Sequence, residues 1–369
     1  MIRTFPIAAA AAVAAASVAV LPSTAAAQDA PAADTPVYFE QPVAAAETAP
    51  PPAEEVPLAP RVVKDDKAIV SVQVENDVFT GTDRHYTNGF RIAYLSAEDN
   101  VPQWLENAAR ALPLFADDGN VRVSYAIGQN MYTPKDIEIE APQPYDHPWA
   151  GFTYGTIGII NDSGRRLDTL ELTLGVVGPA SQADDTQEFV HDLIDTRDPA
   201  GWDNQLHNEP IVNLAYERAW RAMWQSSYLF GLQADATPHA GGAVGNAMIY
   251  GNGGLMLRIG QDLPADYGPP RIRPSLPGSD FFVPHETFGW YLFAGVDGRL
   301  VLRDIFLDGN TFRDSASVEK KWLVGEIQAG LAVTIDGVRF AYTHVYRSER
   351  FEGQDSGDTF GAFSVSFRF

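Results

Sequence analysis

The chain has no cysteine among its 369 residues. Disulfides, thiolate nucleophiles and thiolate metal sites are therefore excluded. Basic residues are scarce: 26 Lys and Arg stand against 48 Asp and Glu, a net charge of -22. That balance excludes nucleic acid as a partner, because a phosphate backbone is met by a basic face. An anionic substrate has to be met by local basic groups or a bridging cation. After the first 27 residues no apolar run is long enough for a membrane helix of roughly 20 residues. No Gly-x-Ser-x-Gly occurs, so a nucleophile elbow is missing as well.

The first 27 residues have three parts. Arg3 gives a short positive start, Ile7 to Leu21 is apolar, and Ala25-Ala26-Ala27 offers small residues for cleavage. This is the pattern of a secretory signal peptide, residues 1–27, cut after Ala27. The alternative is an anchoring membrane helix. Arg3 is the only charged side chain before Gln28, so its loss takes the charge from -22 to -23. Residues 28–67 are rich in Ala, Pro and Glu with few large apolar groups. They cannot bury enough surface to order themselves, and a disordered tail is expected. A periplasmic tether is the functional alternative.

From Ala68 the pattern changes to period two. Val70, Val72 and Val74 alternate with Ser71, Gln73 and Glu75. Eleven further stretches alternate similarly, among them "GFRIAYLS", "VRVSYAIGQ", "TLELTLGVV", "SYLFGLQAD" and "WLVGEIQAGLAV". Each has roughly the ten residues that a tilted strand needs to cross a bilayer. A membrane protein without apolar helices can only be a closed barrel. The expected fold is all-β: a closed antiparallel transmembrane barrel of about 12 strands over 68–369, with a short helix in an external loop. "NDSGRR", "RAMWQS" and the Asp-Gly turn in "TIDGV" read as short periplasmic connections. The polar segments 79–87, 132–150, 178–209, 304–319 and 348–358 read as external loops. Two connections, 98–120 and 261–289, are longer than this scheme explains; the first contains an amphipathic stretch, "VPQWLENAARALPLF". Phe363, Val365, Phe367 and Phe369 share one face of the last strand. Such an end resembles the segment read by the outer-membrane assembly machinery, a second expected partner. The alternative is a soluble β-sandwich or lipocalin-like barrel.

Three external connections carry polar clusters. In the first, Asn76 and Asp77 close one strand, while Arg84, His85, Tyr86 and Thr87 open the next. A hairpin brings these ends together, and Asn and Asp oxygens suit Ca2+. Ordinary turn chemistry explains the same residues. In the second, Lys135 and His147 are the cationic candidates. In the third, Ser181 is a candidate N-cap, and Gln187, Val190, His191 and Ile194 share one helix face. His191 is either a structural residue or a general base.

"ENDVF", "TDRHYTNG", "MYTP", "PWAG", "GVVGP", "Q…VHDLI" and "GW…Q…NE" occur in that order. Together they resemble the LpxR family, outer-membrane lipid A 3'-O-deacylases, over about 68–369. The resemblance implies a twelve-stranded barrel with its site between the outer wall and a loop helix. It implies a Ca2+-dependent ester hydrolase that removes the 3'-linked acyloxyacyl group of lipid A in the bacterial outer membrane. By the same resemblance, His191, Asn76, Asp77 and Thr87 are catalytic. His191 is the base, and Asn76 and Asp77 hold the Ca2+ that stabilises the oxyanion. The family's substrate-binding lysine maps near Lys135, where loop length differs, and Arg84 of the first cluster is a second substrate-binding candidate. Arg197 stands where the resemblance implies a carboxylate, and the segment 28–67 lies outside the pattern. Two other functions remain open on sequence: an outer-membrane phospholipase, and a non-catalytic barrel serving as a pore or wall protein.

Overall fold

A computed structural model describes residues 65–80, 85–115, 119–194, 197–272 and 280–369. The expected signal peptide and all but the last three residues of the expected tail lie outside the described residues, as does Arg84. Asp65 is an end of the tail that is held. Its carboxylate pairs with Arg122 and accepts from Arg368 at 2.6 Å.

Strands follow one another as β1 (Ile69–Asn76), β2 (Asn88–Leu95), β3 (Asn120–Tyr132), β4 (Ala150–Asp162), β5 (Arg166–Val177) and β6 (Glu209–Trp220). The chain continues through β7 (Trp224–Ser227), β8 (Leu232–Gly245), β9 (Met248–Gln261), β10 (Ala265–Asp266) and β11 (Phe282–Val283). It ends in β12 (Phe288–Asp304), β13 (Leu323–Ile335), β14 (Val338–Arg347) and β15 (Asp358–Arg368). Among the described residues three α-helices interrupt them: α1 (Gln103–Ala111), α2 (Ala183–Ile194) and α3 (Ile305–Asp308).

Apart from the short β10–β11 pair, the strands form one antiparallel sheet. β1 pairs with β15 and β6 with β8, so the sheet closes. β6 and β7 pair with successive parts of β8, at Ala219↔His239 and Trp224↔Ala236. They are one stave kinked at Arg221–Met223, and the barrel therefore has twelve staves. "RAMWQS" is a bulge rather than the expected turn; the chain reverses at Tyr228–Gly231, where Phe230 and Gly231 both have positive φ. The bulge also accommodates Pro238. It falls between the two paired stretches of β8, where its missing N–H costs no ladder bond. At "TIDGV", Asp336 and Gly337 both take positive φ, as a two-residue hairpin turn requires.

The staves are polar inside and apolar outside. Ser71, Gln73 and Glu75 are buried in the lumen. Tyr125, Ile127, Ile157, Leu174, Leu257, Leu292, Ile327 and Phe367 are exposed on the wall. Such an inversion is what a lipid solvent demands of a barrel. Among the described residues no helix is long and apolar enough to cross a membrane.

The described parts of the connection from β9 to β12 fold back into the lumen. Tyr267, Phe281 and Phe282 pack with the lumenal side chains of Ile69, Leu95, Ile160 and Leu167. Arg271 donates to Glu75 at 2.6 Å and to Gln328 at 2.5 Å. Asp266 accepts from Arg339 at 2.9 Å and Tyr291 at 2.8 Å. Asp280 accepts from Gln73 at 3.1 Å and Arg91 at 3.0 Å. At the opposite end Tyr86, Tyr132, Phe152, Phe306 and Phe360 close the interior with an aromatic layer. The described residues thus occupy most of the lumen, leaving a cavity of about 100 Å3 beside Arg91, Tyr154, Glu217 and Arg271, and buried charges are compensated in pairs.

Candidate active site

α2 is set on the outer rim by a close backbone approach. Gly178, at φ 99, and Gln182, at φ 56, turn the chain into the helix. Ser181 is not its N-cap: it belongs to a 3-10 turn, and α2 starts at Ala183. The Ser181 carbonyl is instead held by Thr153 at 2.7 Å and Gln129 at 2.8 Å. These bonds press the helix start onto β4, where a Cβ on Gly151 would stand 2.2 Å from Ser181 Oγ and 2.3 Å from Ala183 Cβ. Ala183 joins Met131, Ile137, Trp149 and Trp202 in one apolar cluster.

Ala183, Gln187 and His191 recur at i, i+4 and i+8 and are the buried face of α2. The helix face expected for Gln187 and His191 is present; the side chain of Ile194 lies outside the described residues. His191 is 6% exposed. Its Nδ1 lies 2.5 Å from the Arg197 carbonyl oxygen. A carbonyl only accepts, so Nδ1 carries the proton and Nε2 keeps its lone pair. The indole Nε1 of Trp202 donates to Gln187 Oε1 at 2.8 Å, which turns the Gln187 amide nitrogen toward His191 Nε2 at 3.4 Å. Arg197 contributes its main chain here, while its guanidinium pairs with Glu138 in solvent at 3.1 Å.

The first hairpin brings three of the expected residues together. Asn76 ends β1 and is cross-strand neighbour of Asn88. Asp77 follows it, buried, at the start of a 3-10 turn. Thr87 is buried, its hydroxyl 2.7 Å from that of Thr133, and its N–H donates to the Met131 carbonyl at 3.2 Å. Met131 also packs in the apolar cluster under α2. The hairpin and the helix thus share a support, but His191 takes its polar partners from its own loop.

Lys135 is exposed and paired with Asp355 at 2.6 Å. It lines a separate external cavity of about 240 Å3 with His85, Asp146 and Gln354. His147, the other expected cation, is fully buried and stacked on Tyr132. Burial, and then the nearby Arg350 charge, push its pKa well below the imidazole range. His85 is the residue whose weight the sequence did not reveal. Its Nδ1 meets Asp358 at 2.6 Å and its Nε2 meets Asp146 at 3.2 Å. Burial opposes its charge, yet the two carboxylates prevail and raise its pKa. "RHYTNG" marked a polar turn, but both acidic partners are far away in sequence.

Asn76 and Asp77 offer only hard oxygen donors, which fit Ca2+ in kind. Among the described residues no group of three His, Cys, Asp or Glu is placed to hold a metal. A cation at this hairpin would rest on one carboxylate and neutral oxygens.

Comparison with known proteins agrees with the barrel fold. A family model described as outer membrane protein LpxR matches residues 21–369. LpxR from Salmonella typhimurium superposes with a TM-score of 0.66 at 18% identity, over 82% of this chain and 100% of that one. The β domain of the Bordetella autotransporter BrkA is less similar, with a TM-score of 0.40 at 10% identity over 83% of this chain and 99% of that one. No curated protein sequence matches the chain. The barrel and the family model together place the chain in the LpxR family of outer-membrane proteins, lipid A deacylases and hence carboxylic ester hydrolases.

Proposed function

We propose that this chain hydrolyses the ester of the 3'-linked acyloxyacyl group of lipid A, with His191 as general base. Family membership implies the reaction. The observation that carries the base is the Nδ1–H bond to the Arg197 carbonyl, which leaves Nε2 as the proton acceptor. Water displaces the long Gln187 amide contact at Nε2 (3.4 Å) and gives its proton to that nitrogen, and the hydroxide adds to the acyl carbonyl carbon. The carbon–oxygen bond to the sugar then breaks, and the imidazolium returns its proton to the sugar oxygen. The products are a free sugar hydroxyl and the acyloxyacyl fatty acid. Gln187 and Trp202 hold the imidazole in orientation, and Thr87 orients water or a ligand at the first hairpin. Calcium held by Asn76 and Asp77 would supply positive charge for the developing oxyanion.

Lys135 and Arg84 are the proposed phosphate contacts. The exposed Lys135–Asp355 pair is cheap to exchange, because screened surface pairs contribute little. A phospholipase relying on a Ser–His pair has no support. His191, His85, His147 and His239 bond to backbone carbonyls, carboxylates and Gln side chains, never to serine. The largely filled lumen likewise gives the pore reading nothing. Mass spectrometry of lipid A from cells with and without the protein tests the reaction. Loss of one 3'-acyloxyacyl mass supports it; unchanged lipid A beside cleaved phospholipid overturns it.

A further inference from the structure

The β2–β3 connection has no part in the chemistry above. It lies at the periplasmic end, with Asp65, Phe369 and the short turns; the Glu98 N–H bonds to the Asp65 carbonyl there. Unlike the lumenal segment, it folds outward. Val101, Leu105, Ala109, Leu112 and Phe115 pack on Val121, Val123, Ile159, Leu170 and Tyr216. These wall residues have the parity of the exposed Tyr125, Ile127, Ile157, Leu174 and Leu214, so α1 lies on the lipid-facing side of the barrel. The Leu114 carbonyl is pinned by the Tyr216 hydroxyl at 3.1 Å and by the Arg218 guanidinium.

With one face spent on the barrel, α1 has two sides left. Gln103, Asn107 and Arg110 form a polar stripe, and Gln103 donates to Asn107 at 3.2 Å. Beside it Trp104, Ala108 and Ala111 form an exposed apolar stripe at i, i+4 and i+7. Trp104 is 70% exposed and Leu114, just beyond the helix, 47%. A Trp this open to water on a nine-residue helix gains nothing from folding. The apolar stripe is continuous with the lipid-facing wall, which is already a membrane interface. An apolar side, a polar side and a Trp between them are what a helix in the headgroup region presents.

We infer that α1 is an interfacial helix that seats Trp104 in the periplasmic phospholipid leaflet beside the β3–β6 wall. Gln103, Asn107 and Arg110 face headgroups and water. The helix fixes the depth of the barrel from the periplasmic side, opposite the leaflet that α2 addresses.

The natural absence of cysteine makes the test direct. Ala108→Cys and Asn107→Cys are each labelled with a nitroxide in the full chain, folded into phosphatidylethanolamine–phosphatidylglycerol vesicles. Collision rates with oxygen and with a water-soluble nickel chelate are then read by electron paramagnetic resonance. The label at Ala108 is expected to favour oxygen over nickel by about tenfold relative to that at Asn107. Trp104→Ala should narrow that ratio by lifting the helix toward water. Equal nickel access at both positions would place the helix in water and overturn the inference. Protection of Ala108 from both reagents would also overturn it, pointing to a protein partner or a second copy.

Discussion

His191 is oriented by Arg197 through the main chain: Nδ1 and the Arg197 carbonyl oxygen are 2.5 Å apart, while the Arg197 guanidinium points away to Glu138. Replacing the side chain should therefore leave the base in place. Arg197→Ala is expected to keep kcat within about threefold of wild type, since an exposed ion pair contributes only about 0–1 kcal/mol. A steady-state assay on lipid A checks this; a hundredfold fall would mean that the guanidinium itself acts in the reaction.

Gly151 should be intolerant of a side chain. Its Cβ would meet Ser181 Oγ at 2.2 Å and Ala183 Cβ at 2.3 Å, so Gly151→Ala must displace the start of α2. Displacing a catalytic group by about 1 Å can cost roughly 10²-fold. The variant is expected to lose activity on that scale while keeping heat-modifiable gel mobility, because β4 remains paired on both edges.

The external loops should loosen with rising pH. His85, with its pKa raised above 6.5, joins Asp146 on one loop to Asp358 at the start of β15. Burial resists the Asp146 charge, but the His85 bond and two backbone N–H groups hold its pKa at about 2, so it stays ionised throughout. A raised imidazole pKa stabilises the folded form fully below the ordinary value and loses that contribution as pH passes the raised one. Hydrogen exchange in 133–149, corrected for intrinsic rates, is expected to be slow at pH 5.5 and faster at pH 8.5. His85→Gln should remove most of that difference.

The architecture was legible because a lipid solvent imposes a strict alternation, and most staves carry it in their own residues. Val70, Val72 and Val74 point outward as read, and Phe367 and Phe369 are exposed at the end. Most of β8 was not legible: Pro238, Gly241 and Gly242 are poor strand formers, tolerated because a bulge opposite and neighbours on both sides support them. The two long periplasmic connections resisted for a related reason. One is held by charges spread over the barrel interior, the other by the outer wall, and neither set of partners is local. The His191 helix face was visible in helical spacing, whereas its orienting partner is a backbone carbonyl, which no side-chain pattern encodes.

The lumenal segment should matter for stability more than for turnover. Arg271→Ala takes the ion-pair partner from Glu75, leaving it the Ile272 N–H, and removes a partner of Gln328 in a buried setting. Breaking such a pair costs about 3–5 kcal/mol. Urea unfolding in detergent or vesicles should show a loss of that size. Wild-type protein in planar bilayers is expected to show no steady conductance, since the described residues occupy most of the lumen.

Calcium should be required for hydrolysis and magnesium should replace it poorly. Asn76 and Asp77 are oxygen donors with one carboxylate between them, and Mg2+ demands stricter octahedral geometry than Ca2+. Activity is expected to vanish in excess chelator and to return with Ca2+. Full turnover in chelator would remove the cation from the account.

The most direct test of the central claim is the rate of lipid A deacylation by purified His191→Ala, with heat-modifiable mobility as the check on folding. General-base catalysis contributes roughly 10²–10⁴-fold, and a loss of that size in a folded barrel is the expected result. A folded variant that deacylates lipid A at near wild-type rate would contradict the assignment of His191 as the base.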